Sequence, residues 1–176
     1  MEIIPLGKEH RKSLIALYRA VTAVLKRQGN DQWDRWIYPN RFTIGGDIRK
    51  GTVYGIVDQG RVVGAIAMDK DIREATASYP WTGRKDEAWS IHRLAVHPER
   101  QGQGLGGRLL RFGEDRIRAS GGTSIRLEVY AANPGAIGMY ERAGYGRVGE
   151  TRYPMRKHPY FCYEKLLHEE TSPSDT

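Results

Sequence analysis

The run Gln101-Gly102-Gln103-Gly104-Leu105-Gly106-Gly107 leads straight into the apolar residues Leu109, Leu110 and Phe112. Glycine lets successive backbone N–H groups converge on a phosphate where side chains would stand in the way. A helix starting there adds its unsatisfied first-turn donors and the positive end of its dipole. Gly104 and Gly106 are the positions for closest approach, with Gly102 and Gly107 in support. The run lacks the Gly-Lys-Ser/Thr ending of a P-loop and the acidic partner that a dinucleotide-binding fold places at a strand end, so neither class is expected. A tight turn with a close helix–sheet contact would use the same glycines.

A second group of chemistry-bearing residues lies in "NDQWDRWIYPN", where Trp33, Trp36 and Tyr38 stand near Asp31 and Asp34. Aromatic walls with carboxylates suit a cationic, partly apolar amine. The same residues serve equally to cover a core and cap a turn. The polar stretch "SYPWTGRKDEAW" offers another wall through Tyr79, Trp81 and Trp89. His10, His97, His158 and His168 have no metal-ligand spacing, and no metal is expected. Cys162 is the only cysteine, which excludes an intrachain disulfide and a Cys-rich zinc or iron–sulfur site. The formal net charge of +7 attracts polyanions and small phosphorylated ligands alike. Its Lys and Arg residues are scattered, with no zinc-finger, RNA-binding or basic-zipper pattern, so no specific nucleic acid is expected. The first residues mix acids and bases in place of a signal-peptide core, and no apolar run approaches the roughly 18 residues of a membrane span. A cytoplasmic protein with no membrane partner is the expectation.

These residues need elements to hold them. "MEIIPLG" reads as a short strand, and Leu14, Leu17, Tyr18, Val21 and Leu25 are spaced as one helix face ending at Gly29. "NDQWDRWIYPN" reads as a helical turn or ordered loop. Val53–Val57 and Val62–Met68 form a hairpin around Asp58–Gly60. The segment "DIREATASYPWTGRKDEA" is long enough for a functional loop or lid. "WSIHRLAV" is a strand, "GGRLLRFGEDRIRASG" a helix, and "TSIRLEVYA" a strand with Ile125, Leu127 and Val129 on one side. "NPGAIGMYERAGYG" holds a short helix between Pro134 and Gly144. "GRVGETRYPM" and "YFCYEKLL" pair as the last strands. This order predicts one α/β domain, a mixed sheet covered by helices, over residues 1–168, with a polar tail over 169–176.

"IHRLAVHPERQGQGLGGRLL" resembles the acyl-coenzyme A motif of the GNAT family of N-acetyltransferases: Gln or Arg, two residues, Gly, one residue, then Gly or Ala. It falls on Gln101, Gly104 and Gly106, after the strand exit Val96-His97-Pro98-Glu99. "NPGAIGMYERAGY" resembles the second family motif through Asn133, Ala136, Tyr140, Gly144 and Tyr145. The resemblance spans most of Val53 to Leu166. It implies a central, mostly antiparallel sheet with a splayed strand pair and flanking helices, and acetyl-CoA as cofactor, released as coenzyme A. The strand around Leu94, Ala95 and Val96 would hydrogen-bond the pantetheine arm. The backbone of Gln101, Gly102, Gln103, Gly104, Leu105, Gly106 and Gly107 would embrace the pyrophosphate. Arg100 and Arg108 would stand near the phosphates or in solvent, and Asn133 would anchor the far side of the arm.

The implied chemistry is acetyl transfer to an amine, with a backbone N–H of the splayed strand at the oxyanion. Tyr140 would protonate the leaving sulfur, while Tyr145 would pack. His92, sharing the side of Leu94 and Val96 unless a bulge intervenes, is the first choice of base. Glu87 is its rival and Glu128 a third choice. Trp33, Trp36, Tyr38 and Trp81 are the acceptor-binding candidates. A small-molecule or amino-acid-like amine is the expected acceptor. The alternatives are peptide or protein acetylation and a non-catalytic acyl-CoA-binding regulator. The family likeness also suggests a homodimer.

Overall fold

The computed structural model describes residues 1–34, 36–71, 76 and 78–167. The tail expected over 169–176 and His168 lie outside them, as does part of the expected lid loop. Strand β1 (Ile3–Pro5) leads to helix α1 (Arg11–Arg27), then α2 (Arg41–Lys50), β2 (Val53–Asp58), β3 (Arg61–Asp69) and β4 (Ala88–Val96). Helix α3 (Leu105–Ala119), β5 (Ser124–Tyr130), α4 (Pro134–Arg142), β6 (Gly146–Thr151) and β7 (Tyr160–Leu166) complete the order. The strands form one sheet ordered β1-β2-β3-β4-β5-β7-β6. All neighbouring pairs run antiparallel except β4 and β5. No described helix is long and apolar enough to cross a membrane.

The two faces of the sheet carry separate cores. Leu105, Leu109, Leu110 and Ile117 of α3 and Tyr140 of α4 pack with Ile66, Met68 and Ile91 on one face. Leu14, Leu17, Tyr18 and Val21 of α1 pack with Ile44, Ala65, Ala67 and Ala95 on the other. The apolar spacing of α1 and the alternation along the strands dictate this division, because successive strand side chains point to opposite faces.

Helix α2 is absent from the sequence reading. Its punctuation was present: the Asn40 side chain accepts from the N–H groups of Phe42 and Thr43, both at 3.0 Å, and Gly51 ends the helix at φ 68°. Gly45 and Gly46 weaken its propensity, and its buried residues are only Ile44 and Asp47. Upstream, in "NDQWDRWIYPN", Asp34 and Tyr38 form an isolated antiparallel bridge, and residue 35 between them lies outside the described residues.

Two irregularities in β4 open the sheet. Its parallel pairing with β5 stops at Ser90↔Arg126. Against β3 it pairs Ala95 with Ala65 and His92 with Ala67, so β4 carries one extra residue there. Arg93 sits in this bulge at φ 50°, a backbone conformation that costs a non-glycine residue roughly 1–2 kcal/mol. Trp89 and Ile91 face the α3 side before the bulge, and Leu94 and Val96 face it afterwards. His92 is opposite Ala67 and shares its face, so the expected common side with Leu94 and Val96 is corrected: the bulge shifts the parity by one.

The bulge is clamped. Arg93 Nε donates to Asp47 Oδ2 at 3.0 Å, Nη2 donates to Asp47 Oδ1 at 2.7 Å, and Nη1 donates to the Tyr38 hydroxyl at 2.6 Å. The Tyr18 hydroxyl donates to the Arg93 carbonyl at 3.2 Å. Burial pushes the Asp47 carboxyl upward from its ordinary range, against the opposing pull of the Arg93 guanidinium. The Arg93 and Asp47 side chains are 7% and 10% exposed, so removing either strands a nearly buried charge. Asp47→Ala is expected to lose about 3–5 kcal/mol of unfolding free energy by chemical denaturation. A loss of about 1 kcal/mol or less, the value of an exposed pair, would refute the clamp.

Candidate active site

Where β4 and β5 part, a cavity of about 380 Å³ opens between them. Leu94, Asn133, Ala136 and Tyr140 line it from the α3 and α4 side. Trp33, Tyr38, Trp81 and His92 line it from elsewhere, with Glu128 and the loop Tyr153–Arg156. The cavity therefore passes through the sheet at the splay.

On the α3 side, Gly102 and Gly104 adopt φ 77° and 74°, and a Cβ at either would meet nothing within 4 Å. Their requirement is conformational: the turn needs left-handed backbone while leaving open space above it. Gly104 is the N-cap of α3 and supplies no capping side chain, which leaves the first-turn N–H groups without one. Gly106 has a different task, since a Cβ there would stand 3.2 Å from Met139 Sδ and 3.8 Å from Val96 Cγ2. Among the described residues the β4 edge has no strand partner on its β5 side beyond Ser90, so its backbone is available to an extended ligand. A turn of left-handed glycines, an uncapped helix start and a free strand edge fit the pyrophosphate and amide-bearing arm of coenzyme A. Gln101, Gly102, Gln103 and Gly104 make the turn, Leu105, Gly106 and Gly107 open α3, and Leu94, Ala95 and Val96 make the edge. The Gln101 side chain donates to the Val96 carbonyl at 3.3 Å and joins the two. Arg100 is ion-paired with Asp58, and Arg108 donates to the Met1 carbonyl.

Asn133 does two jobs at the start of α4. Its Oδ1 accepts from the Ala136 N–H at 3.1 Å, and its Nδ2 donates to Gln32 Oε1 at 3.0 Å. Tyr140 is buried in the cavity wall, edge-on to Tyr145 at 5.6 Å. Burial raises the Tyr140 phenol well above its ordinary range, which keeps its proton in place. Tyr145 is a packed core residue.

On the far side, Trp33 packs edge-on against Tyr18 at 5.6 Å, and Tyr38 is held by Arg93. Trp81 donates from Nε1 to the Thr76 carbonyl at 2.7 Å and lies under the Arg126 guanidinium at 4.7 Å. Trp36 departs from expectation: it is 75% exposed and outside the wall, where its neighbour Ile37 stands instead. The acids of this segment cap and tie. Asp34 Oδ1 accepts from the Trp36 N–H at 2.8 Å, and Asp31 accepts from the Tyr130 hydroxyl and from the Lys157 N–H at 3.1 Å.

The three basic candidates are separated. Glu87 lies at the closed end of the strand pair and outside the wall, accepting from Thr123 Oγ1 at 2.8 Å. His92 is in the wall with Nε2 at 3.0 Å from Asp69 Oδ1. Burial raises the Asp69 carboxyl, but the His92 contact and other neighbours outweigh it, so the net displacement is downward. Glu128 is also in the wall, and both its oxygens accept from the Tyr153 hydroxyl at 2.8 Å. Tyr153, Arg156, Arg126 and Tyr130 escaped the sequence reading. The β5 alternation held part of the signal, because Arg126, Glu128 and Tyr130 must face away from Ile125, Leu127 and Val129.

The model of the acetyltransferase (GNAT) family matches residues 17–145, and the chain belongs to this family of acetyl-CoA-dependent N-acetyltransferases. It is similar to the uncharacterized N-acetyltransferase YesJ of Bacillus subtilis, 27% identical over 146 residues covering 82% of this chain and 81% of the relative. A ribosomal-protein alanine N-acetyltransferase of Escherichia coli is 42% identical over 63 residues, which cover 36% of this chain and 42% of that protein. Among solved structures, a GNAT-family acetyltransferase of Streptococcus agalactiae superimposes with TM-score 0.81 at 21% identity, over 96% of each chain.

Replacing Gly104 by Val forces a β-branched residue into left-handed backbone and crowds the open turn. Equilibrium binding is expected to show weakened affinity for coenzyme A and a smaller loss for pantetheine, which lacks the pyrophosphate. Equal losses for both ligands, with the fold intact, would refute the phosphate cradle.

Proposed function

We propose that the protein acetylates the primary amine of a small, amino-acid-like molecule, with Glu128 as base and Tyr140 as general acid. The single observation behind this is the cavity through the β4–β5 splay, which has Tyr140 and Asn133 on the α4 side and a carboxylate among aromatic rings on its walls. Bound acetyl-CoA supplies the acetyl thioester. Leu94–Val96 offer strand-edge N–H groups for the pantetheine arm and for the charge that develops on the carbonyl oxygen. Gln101–Gly107 would hold the pyrophosphate, and Asn133 would anchor the pantetheine arm. Trp33, Tyr38 and Trp81 form the acceptor walls and exclude water.

An amine of the lysine type is mostly protonated near neutrality, with pKa about 10, so attack requires a proton acceptor. Glu128 takes that proton directly or through water. Both its oxygens accept from the Tyr153 hydroxyl, and a carboxylate oxygen can accept more than one hydrogen bond. His92 has one ring nitrogen committed to Asp69 and is the second acceptor available. Tyr140, kept protonated by burial, donates to the departing sulfur. Peptide acetylation is the competing reading, prompted by the Escherichia coli relative. Trp33 and Trp81 on the walls of one cavity favour a compact acceptor over an extended backbone. Acceptor-dependent thiol release across small amines and short peptides tests the choice.

Tyr140→Phe keeps the ring and removes the hydroxyl. Single-turnover acetyl transfer at saturating substrates is expected to slow by about 100-fold or more with cofactor affinity nearly unchanged. An unchanged chemical step would leave Tyr140 as a packing residue. Glu128→Gln is expected to lower kcat/KM by about 100-fold near neutral pH. That deficit should shrink as pH approaches the amine pKa of about 10, where the free amine is plentiful. A deficit independent of pH would remove Glu128 from the role of base.

A further inference from the structure

Three arginines line the cavity, and they stand in different electrostatic states. Arg93 is neutralised by Asp47 at 2.7 Å, and Arg126 has Glu164 at 3.6 Å. Arg156 is half-buried in the same wall. Among the described residues it forms no ion pair. Its own partners are neutral: the Tyr160 hydroxyl, and the Met155 carbonyl at a long 3.4 Å. Asp31 feels its charge but stands outside the wall, with its two oxygens already accepting from Tyr130 and from the Lys157 N–H.

The arginine is tied to the carboxylate assigned as base. Tyr153, three positions earlier in the same loop, donates its hydroxyl to both oxygens of Glu128. One short loop thus carries both the Tyr153 anchor of Glu128 and a cavity arginine that, among the described residues, has no ion pair. A guanidinium presents a planar fork of donors that matches a carboxylate in two parallel bonds. Burial among aromatic rings strengthens such a pair relative to water.

We infer that Arg156 is an acceptor-recognition site for a carboxylate, so that the substrate is a zwitterion with its amine toward Glu128 and its carboxylate toward Arg156. The class is free amino acids, or short peptides presenting both termini. The inference rests on the amine-acetylation reading above and narrows it.

Thiol release tests it with matched acceptors: the common amino acids beside their α-carboxamides, and alanyl-alanine beside its amide. The free acids are expected to exceed their amides in kcat/KM by about 10- to 100-fold, the discrimination of one charge-assisted contact. Arg156→Gln should bring that ratio close to one, chiefly through KM for the acids, and Arg156→Lys should retain part of it. Because acid and amide are compared on one preparation, partial misfolding cancels from the ratio. A preference seen in the dipeptide pair alone supports the same chemistry and identifies peptides as its source. Equal rates for acids and amides, or a preference surviving Arg156→Gln, overturn the inference while leaving amine acetylation intact. Thiol release stimulated by no amine overturns both.

Discussion

The ion pair between Asp47 and Arg93 holds β4 in a shape that a regular strand could not keep. The extra residue shifts the strand's parity and accompanies its departure from β5 after Ser90. A strand that leaves its neighbour exposes unpaired N–H and C=O groups, which are costly to bury without partners. The strain at Arg93 is retained because four groups agree on its position: Asp47, Tyr38, the Tyr18 hydroxyl and the β3 ladder. Helix α2 brings Asp47 to the clamp, which gives this otherwise weakly apolar helix a defined place beside the sheet.

Opening the sheet connects two chemically different regions without breaking either core. The α3 and α4 face offers backbone: a glycine turn, an uncapped helix start and a strand edge. The far side offers side chains, with aromatic rings, a carboxylate and an arginine. Backbone donors suit a ligand whose phosphates and amides are always the same. Side chains on loops are where an acceptor preference is set within one fold.

The glycines divide their labour accordingly. Gly102 and Gly104 are required by backbone torsion, and Gly106 by the approach of Met139 and Val96. Left-handed torsion with open space above it and close packing therefore belong to different positions of the run. Placing Gly106 against both β4 and α4 sets α3 close to the strand edge at Leu94 and Val96.

The sequence by itself determined the local features. Strand and helix periodicities, the hairpin at Asp58–Gly60, the glycine turn and the Asn133-Pro134 helix start are legible because each is set within a few residues by torsional preference or apolar spacing. Both family motifs lie in such segments. The tertiary structure alone decided what depends on distant pairing. Trp36 and Ile37 are adjacent, yet only Ile37 reaches the cavity. His92 changed face because of one extra residue two positions from Ile91, which composition does not announce. Glu87 and Glu128 are both strand-associated acids, but one sits where β4 and β5 are still paired and the other where they have parted. Of three cavity arginines, two meet carboxylates from elements remote in the chain, Asp47 and Glu164. Charge compensation across such distances is a property of the packed molecule, since a guanidinium meets its partner only after the strands and helices between them have taken their places.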